Sequence, residues 1–125
     1  MRNTYIYITI LSIIFVAIIT NMIINLRPDE ISPTEAHYNI KSGLYDYIVD
    51  VRTKQEWDEG HLPNTISIPI GNLVAELPEK IPNKNARILF VCKKGVRASG
   101  VVTIAHKLGY KNVQAMIGNF KQLQE

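Results

Sequence analysis

The sequence predicts an α/β domain with a central, mostly parallel sheet flanked by helices, preceded by one transmembrane helix. Three observations carry this. Residues 3–26 contain no charged side chain and are almost wholly apolar. Beyond them, short β-branched runs alternate with helix-like segments, the pattern of parallel strands joined by helical crossovers. One of these runs, Ile88-Leu89-Phe90-Val91, is apolar at four successive positions, as expected of a strand covered on both faces.

The apolar segment is placed at residues 4–26. At about 1.5 Å per residue, a helix of that length reaches roughly 35 Å, enough to cross a bilayer core with some tilt. A secretory leader has an apolar region of only about 7–15 residues and ends in small residues at its cleavage site. This run is longer, and residues 21–26 offer no Ala-x-Ala-like site. A buried core helix is the poorer reading, because the remaining chain is too small to surround it. Arg2 and the amino terminus flank one side, while Arg27 on the other is offset by Asp29 and Glu30. That bias of about one charge favours a cytoplasmic N-terminus, with the folded domain on the far side of the membrane. Residues 27–30 read as a short polar linker and residues 31–125 as the folded domain.

Composition excludes several classes of function. All 11 acidic residues and 13 of the 14 basic ones lie beyond the apolar segment, which leaves the folded part at +2. That is too little for nucleic-acid binding, and no basic run is interleaved with aromatics. The single cysteine, Cys92, rules out an internal disulfide and a cysteine-based zinc cluster. His37, His61 and His106 are not at metal-ligand spacing. Neither a metal nor another cofactor is expected.

The elements follow in order. Ser32 caps a helix with Pro33 at its first position and Glu35 completing a capping box, and Gly43 ends it. Ala36 and Ile40 lie on its inner face. Tyr45 to Val51 reads as a buried strand. Thr53 and Glu56 form a second capping box, opening a short helix that holds Trp57. Residues 60–64 turn the chain into a strand over Thr65 to Ile70. Gly71 to Leu77 forms a short helix, followed by a loop from Pro78 to Asn85. Ala86 to Val91 is the central strand. A helix from Ala98 to Leu108 stops at Gly109, Asn112 to Ile117 is the last strand, and a short helix closes the chain.

The candidate site is the loop between the central strand and the Ala98 helix. Cys92 sits at the carboxyl end of a parallel strand, where ligands of such sheets bind. Loop amides and a helix N-terminus point at the sulfur and favour an anion there. Gly95 lets the backbone curl so that several N–H groups converge. Lys93, Lys94 and Arg97 add positive charge, and Val96 completes the loop. Cys92 reads as the nucleophile and the loop as a cradle for an anionic substrate. No second cysteine or well-placed histidine offers a base, so activation is expected to be electrostatic.

Asp50-Val51-Arg52, Glu56-Trp57, Gly60-His61-Leu62-Pro63 with Ile66, the loop Cys92 to Arg97, Gly109-Tyr110-Lys111-Asn112-Val113 and Gly118 occur in one ordered series. This series resembles the rhodanese family over about residues 30–120. The resemblance implies a sulfurtransferase: the loop cysteine takes the outer sulfur of thiosulfate or a similar donor as a persulfide. It then passes that sulfur to an acceptor such as cyanide or a thiol, including a protein thiol. The Cys-x4-Arg spacing is one residue shorter than the oxyanion loop of the family's phosphatase relatives, which argues for sulfur over phosphate. Lys93 and Lys94 resemble the basic pair of thiosulfate users. Asp50, Arg52, Glu56 and His61 are implied as structural supports. Leu123 stands where the family has Trp, which is expected to leave one edge of the domain less covered, and Asn64-Thr65 replaces the usual Gly-Ala. The alternative is a membrane-tethered persulfide carrier or a non-catalytic docking module.

Overall fold

The structure, a computed structural model, describes residues 2–25, 29–92 and 98–123. Helix α1 (Arg2–Asn25) is continuous. Its stretch from Arg2 to Ile23 has a mean hydropathy of 2.4 and none of it is buried, so it is long and apolar enough to cross a membrane. The hydroxyls of Thr9 and Ser12 each donate at 2.8 Å to the carbonyl four residues earlier. These polar groups are therefore satisfied inside the helix, as an apolar surrounding would require.

Five strands form one sheet: β1 (Glu30–Ile31), β2 (Tyr47–Asp50), β3 (Ile66–Ser67), β4 (Ile88–Val91) and β5 (Val113–Met116). Their order is β1-β5-β4-β2-β3 and every pairing is parallel. Helices α2 (Pro33–Lys41), α3 (Lys54–Glu59), α4 (Leu73–Lys80) and α5 (Ala98–Lys107) complete the domain. Strand β1 was not expected, and Glu30 falls in what reads as linker. Two residues are too few to show a period of two, and only tertiary pairing makes them a strand. The Ala115 N–H donates to the Asp29 carbonyl at 2.8 Å, and the Ile117 N–H to that of Ile31 at 2.9 Å.

Strand β4 is buried at all four positions. Because side chains alternate across a strand, Ile88, Phe90 and Cys92 enter one core with Val49, Val51, Ile68, Leu77 and the α5 residues Val101, Val102 and Ala105. Leu89 and Val91 enter a second core with Ile31, Ala36, Leu62, Met116 and Leu123. Leu123 is thus buried against α2 and the sheet, and the smaller side chain still covers the edge that a missing Trp was expected to expose. Gly118 makes this closure possible. Its φ is +119°, and a Cβ there would lie 2.6 Å from the Gln122 amide oxygen and 3.0 Å from Pro33 Cγ.

The caps follow the sequence with one difference. The Ser32 hydroxyl accepts from the Glu35 N–H at 3.2 Å, whereas both halves of the box form at Thr53 and Glu56. Gly109 ends α5 at φ +98°, as expected. Most element ends shift by one or two residues, and two boundaries move by three. Strand β3 is shorter than Thr65 to Ile70, because Pro69 cannot donate to a ladder and Ile70–Asn72 turns into a 3-10 segment. Helix α4 continues through Pro78 to Lys80. A proline inside a helix costs about 3 kcal/mol, but Leu73, Leu77 and Ile81 are fully buried along that path. Each such burial contributes roughly 1.5–3 kcal/mol, enough to outweigh the proline.

Replacing Phe90 by Ala should cost about 3–5 kcal/mol, since the cavity opens between the sheet and α5. Replacing Val74, which is 63% exposed, should cost within about 0.5 kcal/mol. Protease resistance across a urea series, on the full chain in detergent, would distinguish the two.

Candidate active site

Cys92 follows β4 directly and is 3% exposed, with a free thiol. Its position is set by parity. Four residues beyond Ile88 it shares that residue's face, so it belongs to the core that α5 covers. The Val51 N–H donates to the Val91 carbonyl at 3.0 Å, so the β2–β4 pairing runs up to the thiol-bearing residue. Helix α5 begins at Ala98. The remaining loop residues singled out in the sequence, Lys93, Lys94, Gly95, Val96 and Arg97, lie outside the described residues.

Asp50 and Arg52 are 2% and 3% exposed. Asp50 ends β2 and pairs in register with Val91, so its side chain leaves the sheet on the face opposite Cys92. Its carboxylate accepts from Arg52 Nε at 2.9 and 3.0 Å and from Nη2 at 2.8 Å. The Arg52 N–H donates to the same carboxylate at 3.0 Å. Arg52 also donates to the Glu56 carbonyl at 3.3 Å and the Gly60 carbonyl at 2.7 Å. One guanidinium therefore clamps the end of β2 to the first turn of α3 and to Gly60, the residue that ends it. A fork of fixed geometry suits this, because it satisfies a carboxylate and two carbonyls at once. The pair supports the sheet end and does not share the thiol's face.

The Glu56 carboxylate accepts from the Thr53 N–H at 3.3 Å and from its hydroxyl at 3.0 Å, closing the start of α3. His61 donates from Nδ1 to the Trp57 carbonyl at 2.9 Å. Its ring stacks on Trp57 with centroids 3.5 Å apart and planes 4° from parallel. Both side chains thus bond or stack within the segment from Thr53 to His61. Asn64 takes a left-handed φ of +59° in the turn that follows, a conformation that Asn tolerates better than most residues. Among the described residues, no group of three or more His, Cys, Asp or Glu side chains could hold a metal ion.

A feature the sequence reading missed lies at the other end of the sheet. A cleft of about 660 Å³ is lined by Asp29, Tyr45, Arg87, His106, Lys111 and Gln114, among others. These residues precede β1, β2, β4 and β5, begin β5 or end α5, so no single stretch of sequence reveals them together. The Tyr45 hydroxyl donates to Gln114 at 2.7 Å. Arg87 binds Asp46 at 3.0 Å and holds its carboxyl below the usual aspartate range. His106 donates from Nδ1 to the Tyr110 carbonyl at 3.0 Å.

Arg52→Ala would leave the Asp50 carboxylate buried without its counter-charge, and should cost about 3–5 kcal/mol. Arg52→Lys should recover only part of that, because an ammonium cannot hold the carboxylate and both carbonyls together. The urea midpoints of the two variants would test this.

Residues 32–125 match the family described as the rhodanese-like domain. YtwF of Bacillus subtilis, provisionally named a sulfurtransferase, is 30% identical over 86 residues, covering 67% of this chain and 80% of its own. The mitochondrial thiosulfate sulfurtransferase RDL2 of Saccharomyces cerevisiae is 30% identical over 105 residues, covering 75% of this chain and 68% of its own. The crystal structure of RDL2 superposes with a TM-score of 0.62 at 26% identity, over 78% of this chain and 89% of that one. The human single-domain sulfurtransferase TSTD1 shares the fold, with a TM-score of 0.67 at 23% identity over 78% of this chain and 96% of its own. At family level, then, its named relatives are sulfurtransferases. The fold, the ordered motifs and the position of Cys92 agree with these matches: the chain belongs to the rhodanese-like domain family.

Proposed function

We propose that the protein is a membrane-anchored sulfurtransferase, working through a persulfide on Cys92, with thiosulfate or a similar sulfane-sulfur compound as donor. The observation that carries this is the place of Cys92. It is a free thiol at the carboxyl end of a buried parallel strand, one short loop ahead of a ten-residue helix. Family-level kinship with sulfurtransferases supports the reaction type.

The chemistry balances without a cofactor. The Cys92 thiolate attacks the outer sulfur of thiosulfate, a new S–S bond forms, and the S–S bond of the donor breaks. Sulfite leaves with the electron pair and its two negative charges, while Cys92 carries the persulfide anion. Cyanide or a thiolate then attacks the terminal sulfur, and the Cys92 thiolate is regenerated. Both steps move negative charge, so fixed dipoles and cations are what the site must supply. The N-terminus of α5 is one source. Lys93, Lys94 and Arg97, with the backbone at Gly95 and Val96, are assigned the rest on sequence grounds. With no second cysteine in the chain, the sulfur leaves to an external acceptor.

The anchor is assigned to α1, whose apolar surface lies wholly outside the folded domain. The charge bias of about one around it favours a cytoplasmic N-terminus, with the domain on the far side.

With thiosulfate and cyanide, the full chain should form thiocyanate, and Cys92→Ser should reduce the rate to background. Intact mass after thiosulfate alone should show one added sulfur, lost in Cys92→Ser. Lys93→Ala with Lys94→Ala should lower kcat/KM for thiosulfate by about tenfold, through lost attraction of a dianion. An added sulfur without thiocyanate would mark a carrier, and no added sulfur would defeat sulfur transfer from this donor.

A further inference from the structure

We infer that the end of the sheet opposite Cys92 rests on anionic lipid headgroups, so that the domain stands on the membrane with its thiol turned to the aqueous phase. This rests on the proposed anchoring role of α1. The first observation is distance. Three residues separate Asn25, the end of α1, from Asp29. Even fully extended, that link spans about 14 Å. Asp29 must therefore lie in or just above the headgroup zone if α1 crosses the bilayer.

The second observation is direction. The Asp29 carbonyl accepts from Ala115, so the chain enters the sheet beside β5 at the amino ends of the strands. Asp29 lines the same cleft as Arg87, His106 and Lys111, which brings that whole end of the domain to the membrane. Cys92 lies beyond the far end of β4, whose four residues extend about 13 Å at the usual rise per residue.

The third observation is charge. Lys84, Arg87, Lys107 and Lys111 occur at this end, with His106 beside them. Arg87 is taken up by Asp46, and Asp29 lies 3.6 Å from His106 Nε2. Lys84 sits 4.3 Å from the centre of the Tyr110 ring. Among the described residues, Lys84, Lys107 and Lys111 have no carboxylate partner, and Lys107 and Lys111 are exposed. Lysines held within a Debye length, about 8–10 Å, of a bilayer face that carries anionic lipids are attracted to it, whichever side of the membrane the domain stands on. The carboxylates at that end include Asp29, Asp46 and the exposed Glu30, and among the described residues none of the three pairs with Lys84, Lys107 or Lys111.

The test uses the full chain in nanodiscs of phosphatidylcholine, alone or mixed with phosphatidylglycerol, with lysine acylation read by mass spectrometry. Lys107 and Lys111 should react several-fold more slowly when phosphatidylglycerol is present, and high salt should remove the difference. Lys54, exposed at the opposite end and paired with Asp58, should react equally in both. Lys107→Glu with Lys111→Glu should stay in the disc and abolish the lipid dependence at Lys84. Equal reactivity of Lys107 and Lys111 in both lipids, or selective protection of Lys54, would overturn the inference while leaving the anchor intact. A chain that elutes without the disc would defeat the anchor, and this inference with it.

Discussion

Burial of β4 on both faces is the constraint on which the rest of the structure depends. Four consecutive apolar side chains contribute on the order of 10 kcal/mol of gross burial energy, comparable with the whole net stability of a small domain. To bury them, helices must cover both faces, and in a parallel sheet the crossovers put them there. Alternation along the strand then leaves the next residue no choice of side. Cys92 continues the face of Ile88 and Phe90, so the thiol meets the helix that follows it in sequence.

The charged pair at the end of β2 answers a different demand. Burying Asp50 and Arg52 gains little net stability, because desolvation of two ions consumes most of their attraction. What the pair supplies is geometry. A single guanidinium holds the carboxylate and two main-chain carbonyls, and so determines where the chain turns from β2 through α3 toward β3. That turn borders the same end of the sheet as Cys92 but on the other face.

The two ends of the sheet have different characters. The carboxyl end carries the thiol, the buried ion pair and the start of α5. The amino end carries a polar cleft, the entry of the chain from α1 and lysines without carboxylate partners among the described residues. In the proposed arrangement chemistry and attachment are separated by the length of the strands. Substrate can then approach from water while the domain is held close to the bilayer.

The α/β class, the long apolar helix, the caps at Ser32 and Thr53 and the place of Cys92 at a strand end were legible in the sequence, because each depends on local pattern. Hydrophobic period, capping residues and an unbroken apolar run act over a few residues and leave a readable mark. Long-range terms decided the rest. Strand β1 exists only because Asp29 and Ile31 meet Ala115 and Ile117. Helix α4 passes Pro78 because three buried side chains outweigh a local penalty. Leu123 fills an edge that its size alone did not promise to fill. The amino-end cleft collects residues from five separate stretches, whose nearness depends on strand order, a property that no short window of sequence contains.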